Sequence, residues 1–278
     1  MAIRLAGRDQ GRSGPVGHAA IASARCRNFN SVVELQDAII QPIRGKHSPR
    51  LAPVAVLAAT EPDLDGLRRG LGFDASEHRR LFISRLYTAA GREPDVCLAG
   101  PVVGAPYATM VAETLIAWGA RTILFIGWCG AVSPVLCLGD LVVPTAAVID
   151  EGTSPHYAAG VSAACPSEPL MRRVAAACAA EGVSTHLGTV WTTDAVFRET
   201  RDEVARHQRD GVLAVEMECS ALFTVGGFRG IEVAALLVVS DDLSSLTWRP
   251  GFRDPRFIRG RELACNAIGK LCATLAAA

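Results

Sequence analysis

The chain has 278 residues, half of them hydrophobic, with 28 basic and 28 acidic side chains and nine cysteines. That size fits one domain plus an extension, and the balanced charge supplies no field to draw nucleic acid or an anionic membrane, so a small uncharged or mixed-charge ligand is expected. The cysteines include no C-x-x-C pair, which argues against a disulfide framework and against a zinc site. Cys129, Cys178, Cys219 and Cys265 stand in apolar surroundings and read as small buried hydrophobes. No stretch has the form of a signal sequence or a membrane span, so a cytoplasmic location is expected.

Residues 1–50 begin rich in Gly, Arg, Ser and Pro and hold one amphipathic stretch at 32–40, the marks of an N-terminal extension that is partly disordered. The domain proper is expected over 51–278. An apolar run at 54–59 predicts a strand, and Thr60 is placed to cap a helix continuing to Arg69. Strands are predicted at 80–89 and 95–99, and a helix from Gly104 to Trp118 that Gly119 terminates. A buried strand at 122–126 leads into the glycine turn Gly127-Trp128-Cys129-Gly130, and another strand is predicted at 140–144. A helix at 169–181, a strand at 185–191, a helix at 219–230 and an apolar strand at 231–239 complete the pattern. Strands alternate with helices throughout, so the fold class is α/β with a largely parallel or mixed sheet.

Several predicted strands end in polar residues. Glu61 and Asp63 follow the first strand, Thr193-Asp194 another, and Ser240-Asp241-Asp242 the last. Convergent polar groups at strand ends are what an α/β site requires. Glu216-Met217-Glu218 supplies two carboxylates, either of which could grip a vicinal diol through both oxygens. The same residues could instead be an acidic helix start, and Ser240-Asp241 a simple helix cap. Gly127 and Gly130 allow close backbone approach to a ligand around Trp128 and Cys129. Trp128 and Phe197 could stack on a base, and His156, in a loop, could touch substrate or simply be solvated.

Taken together, Glu61-Pro62-Asp63, Gly104-Ala105-Pro106, Gly127-x-x-Gly130-Ala131, Gly139-Asp140, Thr193-Asp194, Val215-Glu216-Met217-Glu218 and Val239-Ser240-Asp241 resemble the nucleoside phosphorylase and nucleosidase superfamily over roughly residues 53–275. The resemblance implies a single α/β domain with a mixed, partly barrel-like central sheet flanked by helices, a homodimer or higher homo-oligomer, and cleavage of a nucleoside N-glycosidic bond without a cofactor or metal. It implies that Glu218 binds the ribose hydroxyls, with Glu216 beside it and Met217 against the sugar, and that Asp241 protonates or hydrogen-bonds N7 of a purine. The pyrimidine-specific branch carries a Gln and Arg pair after the Thr193-Asp194 match. This chain has Arg198-Glu199-Thr200-Arg201 there, which favours a purine-type base.

The nucleophile is less plain. Where the phosphorylases place an arginine and a Ser or Thr that hold phosphate, this chain has Phe125 and Trp128. Burying a phosphate without cations is costly. The nucleosidases use water activated by an acid after the first strand, and Asp63 falls at that position with Glu61 as the fallback. Hydrolysis is therefore the first expectation. Phosphorolysis with inorganic phosphate held by relocated cations, among them Arg44, Lys46 and Arg198, is the alternative, and a non-catalytic nucleoside binder with Trp128 filling the nucleophile's space is a third.

Overall fold

The computed structural model describes residues 38–88 and 95–277. Most of the N-terminal extension, including most of the amphipathic stretch at 32–40, lies outside the described residues. In chain order the elements are β1 (Val54–Ala58), α1 (Glu61–Gly70), β2 (Arg79–Leu81), β3 (Ser84–Thr88), β4 (Val96–Gly100), α2 (Ala105–Trp118), β5 (Thr122–Ala131), β6 (Leu141–Asp150) and β7 (Ala163–Ala164). Then come α3 (Glu168–Ala180), β8 (Thr185–Thr193), α4 (Arg201–Arg209), β9 (Ala214–Glu216), α5 (Cys219–Arg229), β10 (Glu232–Asp242), β11 (Arg249–Pro250) and α6 (Pro255–Ala276).

The strands join in one mixed sheet. β10 pairs with β5 in parallel and with β6 antiparallel, β6 and β8 run parallel, β8 and β9 run parallel, and β9 returns to β5 antiparallel. That ring closes a five-stranded barrel. β1, β4, β3 and β2 extend from β5 as an open flank.

Period-two alternation explains why β1, β5 and β10 are apolar at nearly every position. Ala55, Leu57, Ile123, Phe125, Ala235 and Leu237 face one core, which α2 and α5 complete with Val111, Leu115, Leu222 and Phe223. Their neighbours Val54, Val56, Leu124, Ile126, Ala234 and Leu236 face a second core, filled by α1, α3 and α6 through Leu64, Leu67, Val174 and Ile268. Strands covered on both faces must be apolar on both. Across the first layer, Arg229 of α5 binds Glu113 of α2 through two hydrogen bonds of 2.7 and 2.9 Å.

Four local readings of the sequence are corrected. The strand expected over 80–89 is the hairpin of β2 and β3, turning at Phe82 with φ of 55°. The glycine turn at 127–130 is strand: β5 runs on through it, because Trp128 to Ala131 find partners in β10, and Gly130 and Ala131 in β9 as well. β10 likewise continues to Asp242, with its register shifting between Val239 and Asp241, so Ser240 and Asp241 belong to a bulged strand rather than to a helix cap. β6 passes Pro144 by a register shift and reaches Asp150. Helices α4 and α6 are additions that the sequence pattern does not predict. α4 opens with a capping box in which Thr200 and Glu203 exchange hydrogen bonds. Cys129, Cys178 and Cys219 are buried free thiols and Cys265 is half-buried, whereas Cys165 is disulfide-bonded.

Helix α6 docks where backbone meets backbone. A methyl at Gly260 would fall 2.3 Å from the carbonyl oxygen of Gly139, and Gly139 itself adopts φ of +87° in the turn before β6. Overpacking of this kind costs about 1–3 kcal/mol. Gly260→Ala is therefore expected to lower the melting temperature by roughly 3–10 °C, measured by thermal unfolding followed by circular dichroism.

Candidate active site

The ends of β5, β8, β9 and β10 and the chain just after β1 and β4 line a cavity of about 480 Å³. Its walls include Thr60, Val103, Trp128, Cys129 and Gly130 from the β1, β4 and β5 side. Val196, Phe197 and Glu199 come from the segment after β8, Glu216, Met217 and Glu218 from the junction of β9 and α5, and Ser240, Asp241, Trp248 and Phe252 from β10 onward. The volume is typical of a small-molecule site. Four of its side chains are acidic, and among the described residues none that lines it is Lys, Arg or His.

Glu216 and Glu218 divide the work. Glu216 is buried and accepts a short hydrogen bond from Thr192 Oγ1 and two from the backbone N–H groups of Glu218 (2.7 Å) and Cys219 (2.8 Å). Those N–H groups stand at the open N-terminus of α5, where a carboxylate is favoured. Glu216 thereby fixes the turn that carries Glu218. Glu218 needs little else to aim it: one oxygen accepts from Gly104 N at 2.6 Å, and its carboxyl lies in the cavity wall. Burial, and then the nearby Glu216, push Glu218 up to about 8 from an ordinary value near 4.5. Burial also raises Glu216, with its three hydrogen bonds pulling the other way.

Asp241 lies across a glycine. A side chain at Gly130 would meet Leu243 at 2.5 Å and the Asp241 carboxylate at 3.1 Å, so the absence of one leaves room for both. Asp241 Oδ1 accepts from Ser240 Oγ (2.6 Å) and Oδ2 from Trp248 Nε1 (2.9 Å). Trp248, Phe252 and Trp128 continue in a chain of ring contacts, and Phe197 stands almost wholly exposed at the rim.

The two acids expected to activate water are elsewhere. Asp63 is wholly buried behind the cavity, and its carboxylate accepts from Thr60 Oγ1 (3.0 Å), Trp128 Nε1 (2.6 Å) and Arg261 Nε (2.7 Å). Arg261 also lies 5.3 Å from the centre of the Trp128 ring. With three donors in place Asp63 is committed to holding Trp128 and α6, not to a water in the cavity. Glu61 pairs with Arg85 outside the cavity.

The remaining expectations sort by place. Phe197, Trp128, Cys129 and Met217 line the cavity. Thr193 is buried and accepts from Ala195 N, Asp194 accepts from Gly152 N, and His156 and Arg198 are exposed; none of these four lines it. Arg44 lies at the starts of β1 and β4, in a hollow of about 850 Å³ shared with Arg50, Arg79 and Arg121, and Lys46 borders a neighbouring one. Both thus stand at the opposite ends of the strands from this cavity. Sequence reasoning missed Glu199 and Thr60, since a single acid after an aromatic, or a threonine at a helix start, carries no pattern. No group of acids, histidines and cysteines among the described residues is placed to hold a metal ion.

Two outcomes test this geometry. Breaking a buried ion pair costs about 3–5 kcal/mol, so Asp63→Asn is expected to lower the melting temperature by roughly 6 °C or more. Because Glu218 and Glu199 hold protons in the fold that they lose when unfolded, the free protein is most stable near and below their ordinary values. It loses that contribution as pH rises through about 7 and 8. Melting temperature should therefore fall between pH 5 and 8.5, and Glu218→Gln should flatten the fall.

The family model described as the phosphorylase superfamily matches residues 53–271. A guanosine phosphorylase of Halorubrum lacusprofundi is 29% identical over 153 residues, 55% of this chain and 63% of that protein, so the alignment spans less than two thirds of that relative. A DeoD-type purine nucleoside phosphorylase of Jannaschia sp. is 30% identical over 159 residues, 56% of this chain and 68% of that protein. Among solved structures, the uridine phosphorylase of Vibrio fischeri ES114 superposes with a TM-score of 0.69 at 25% identity, covering 80% of this chain and 93% of that one. The barrel with its helical layers and a family match running through nearly the whole described domain lead to one assignment: the chain belongs to the phosphorylase superfamily.

Proposed function

We propose that the protein cleaves the N-glycosidic bond of a purine-type nucleoside, with Glu218 holding the ribose hydroxyls and Asp241 engaging the leaving base. The observation that carries this reading is that both carboxyls line one cavity whose rim is aromatic. A carboxylate with a free oxygen suits a vicinal diol, and Trp248, Phe252 and Phe197 offer ring faces to a planar base.

Water is the nucleophile this cavity favours. As the base departs, the sugar gains positive charge, which ionised carboxylates of the cavity wall stabilise by fixed electrostatics. A phosphate in the same place would meet acids and no cation, and an anion without charge-assisted donors is costly to bury. Since Asp63 is engaged elsewhere, water attack here leans on base departure and on that field rather than on a dedicated base. Phosphorolysis is the second reading, favoured by the names of the relatives, which are phosphorylases. It needs cations from outside the described cavity. A homo-oligomer is part of the proposal, supported by the exposed apolar side chains Phe82, Ile83, Val103 and Met110.

Base release from a panel of purine and pyrimidine nucleosides, with and without inorganic phosphate and with the sugar product weighed by mass spectrometry, tests all of this. Free ribose formed independently of phosphate is the expected result, and ribose 1-phosphate would transfer the assignment to phosphorolysis. Ligand binding with no base released would leave a nucleoside-binding protein. Asp241→Asn should lower kcat about 10²–10⁴-fold with a modest change in KM, whereas Glu218→Gln should raise KM as well.

A further inference from the structure

The hollow of about 850 Å³ at the starts of β1 and β4 is larger than the acidic cavity and opposite to it in chemistry. Arg44, Arg50, Arg79 and Arg121 line it, and Asp95 is the one acid among the described residues that does. The adjoining hollow shares Arg79 and Trp118 with it and adds Lys46, His47 and Arg80. Since the whole chain carries 28 basic and 28 acidic side chains, this concentration of one sign is local.

Two of the four arginines are fixed by backbone carbonyls. Arg121 Nη1 donates to Ala120 O (2.8 Å) and Ile116 O (3.2 Å), and Arg79 Nη1 donates to His47 O (3.3 Å). Among the described residues none of the four forms an ion pair, whereas Arg85, Arg229 and Arg261 elsewhere each meet a carboxylate. Cations gathered without partners repel one another, and an anion entering between them removes that repulsion. A guanidinium meets a phosphate through two parallel N–H donors. These arginines come from the segment leading into β1, from β2 and from the turn before β5, so a run of phosphates engages them better than a single one.

Trp118 adds a second kind of surface. At the end of α2 its indole N–H donates to Ile43 O (3.2 Å), its ring packs against the first core, and it lines both hollows. A ring held in this way offers a platform for a planar base. The space has the size of a small-molecule site, and the basic side chains gather around it instead of forming the stripe that a nucleic-acid strand follows.

We propose that this hollow binds a nucleoside polyphosphate, its phosphates on Arg44, Arg50, Arg79 and Arg121 and its base against Trp118. The site is separate from the cavity and does not depend on the reaction proposed for it.

Isothermal titration of the full chain with ATP, AMP, tripolyphosphate and a single-stranded oligonucleotide tests the proposal. ATP should bind once per chain, about tenfold more tightly than AMP, which lacks two phosphates, and about tenfold more tightly than tripolyphosphate, which lacks the base. Arg44 and Arg50 are exposed, and reversing both, in Arg44→Glu with Arg50→Glu, should weaken ATP about tenfold or more without lowering the melting temperature. Glu218→Gln, in the cavity, should leave ATP affinity within about twofold. As a readout that needs no variant, wild-type affinity for ATP should fall as NaCl rises from about 50 to 300 mM. Affinity indifferent to salt or to the double reversal, or lost in Glu218→Gln, overturns the proposal. So does tripolyphosphate binding as tightly as ATP, which leaves no base contact, or an oligonucleotide binding more tightly than ATP, which makes this face a nucleic-acid surface.

Discussion

A buried carboxylate at the N-terminus of α5 organises the cavity. Glu216 could not be buried unless donors met it, because an unpaired polar group in a protein interior costs more than an ordinary hydrogen bond returns. Thr192 at the end of β8 and the first free N–H groups of α5 meet it. A second strand of the network runs from Ser220 N to Thr192 and from Ser220 Oγ to the buried Glu151. Three elements, β8, β9 and α5, are thereby fixed to one another by a single side chain. The orientation of Glu218 follows from that lock and from the amide of Gly104, so its carboxyl is held in place before any ligand arrives.

The barrel accounts for the electrostatics. Closing β5, β10, β6, β8 and β9 on one another puts the ends of three segments rich in acids around one hollow. Like charges so arranged are unfavourable in the free protein, and two of the carboxyls respond by keeping protons. A ligand that becomes positive as it reacts relieves that repulsion.

Much of this was legible in the sequence, for physical reasons that differ by residue. β1, β5 and β10 announce themselves because burial on two faces demands unbroken apolar runs, and Glu218 and Asp241 stand out because acids flank those runs. Asp63 illustrates the opposite case. Its position after β1 is that of a catalytic acid, yet its partners Trp128 and Arg261 lie 65 and 198 residues along the chain, and no local pattern links them. The glycine segment 127–130 looked like a turn because glycine is common in turns, whereas here it is strand kept bare so that Leu243 and Asp241 can cross it. Arg44 and Lys46 read as anion ligands by charge alone, and only the topology reveals that they stand at the far ends of the strands. Glu199 carried no signal, since its chemistry comes from neighbours on other elements.

The four tryptophans occupy four unlike settings. Trp191 is sealed and stacked on His207 at 4.2 Å, Trp118 donates to Ile43 O at the opposite end of the sheet, and Trp128 is clasped by Asp63. Trp248 alone sits more than half exposed at the mouth of the cavity, tied by its indole N–H to Asp241. A planar ligand sliding onto that ring would change its solvation and its hydrogen bond together while leaving Trp118 and Trp191, which do not line the cavity, as an internal reference. The protein thus carries a built-in fluorescent reporter of occupancy, wired to the Asp241 carboxylate.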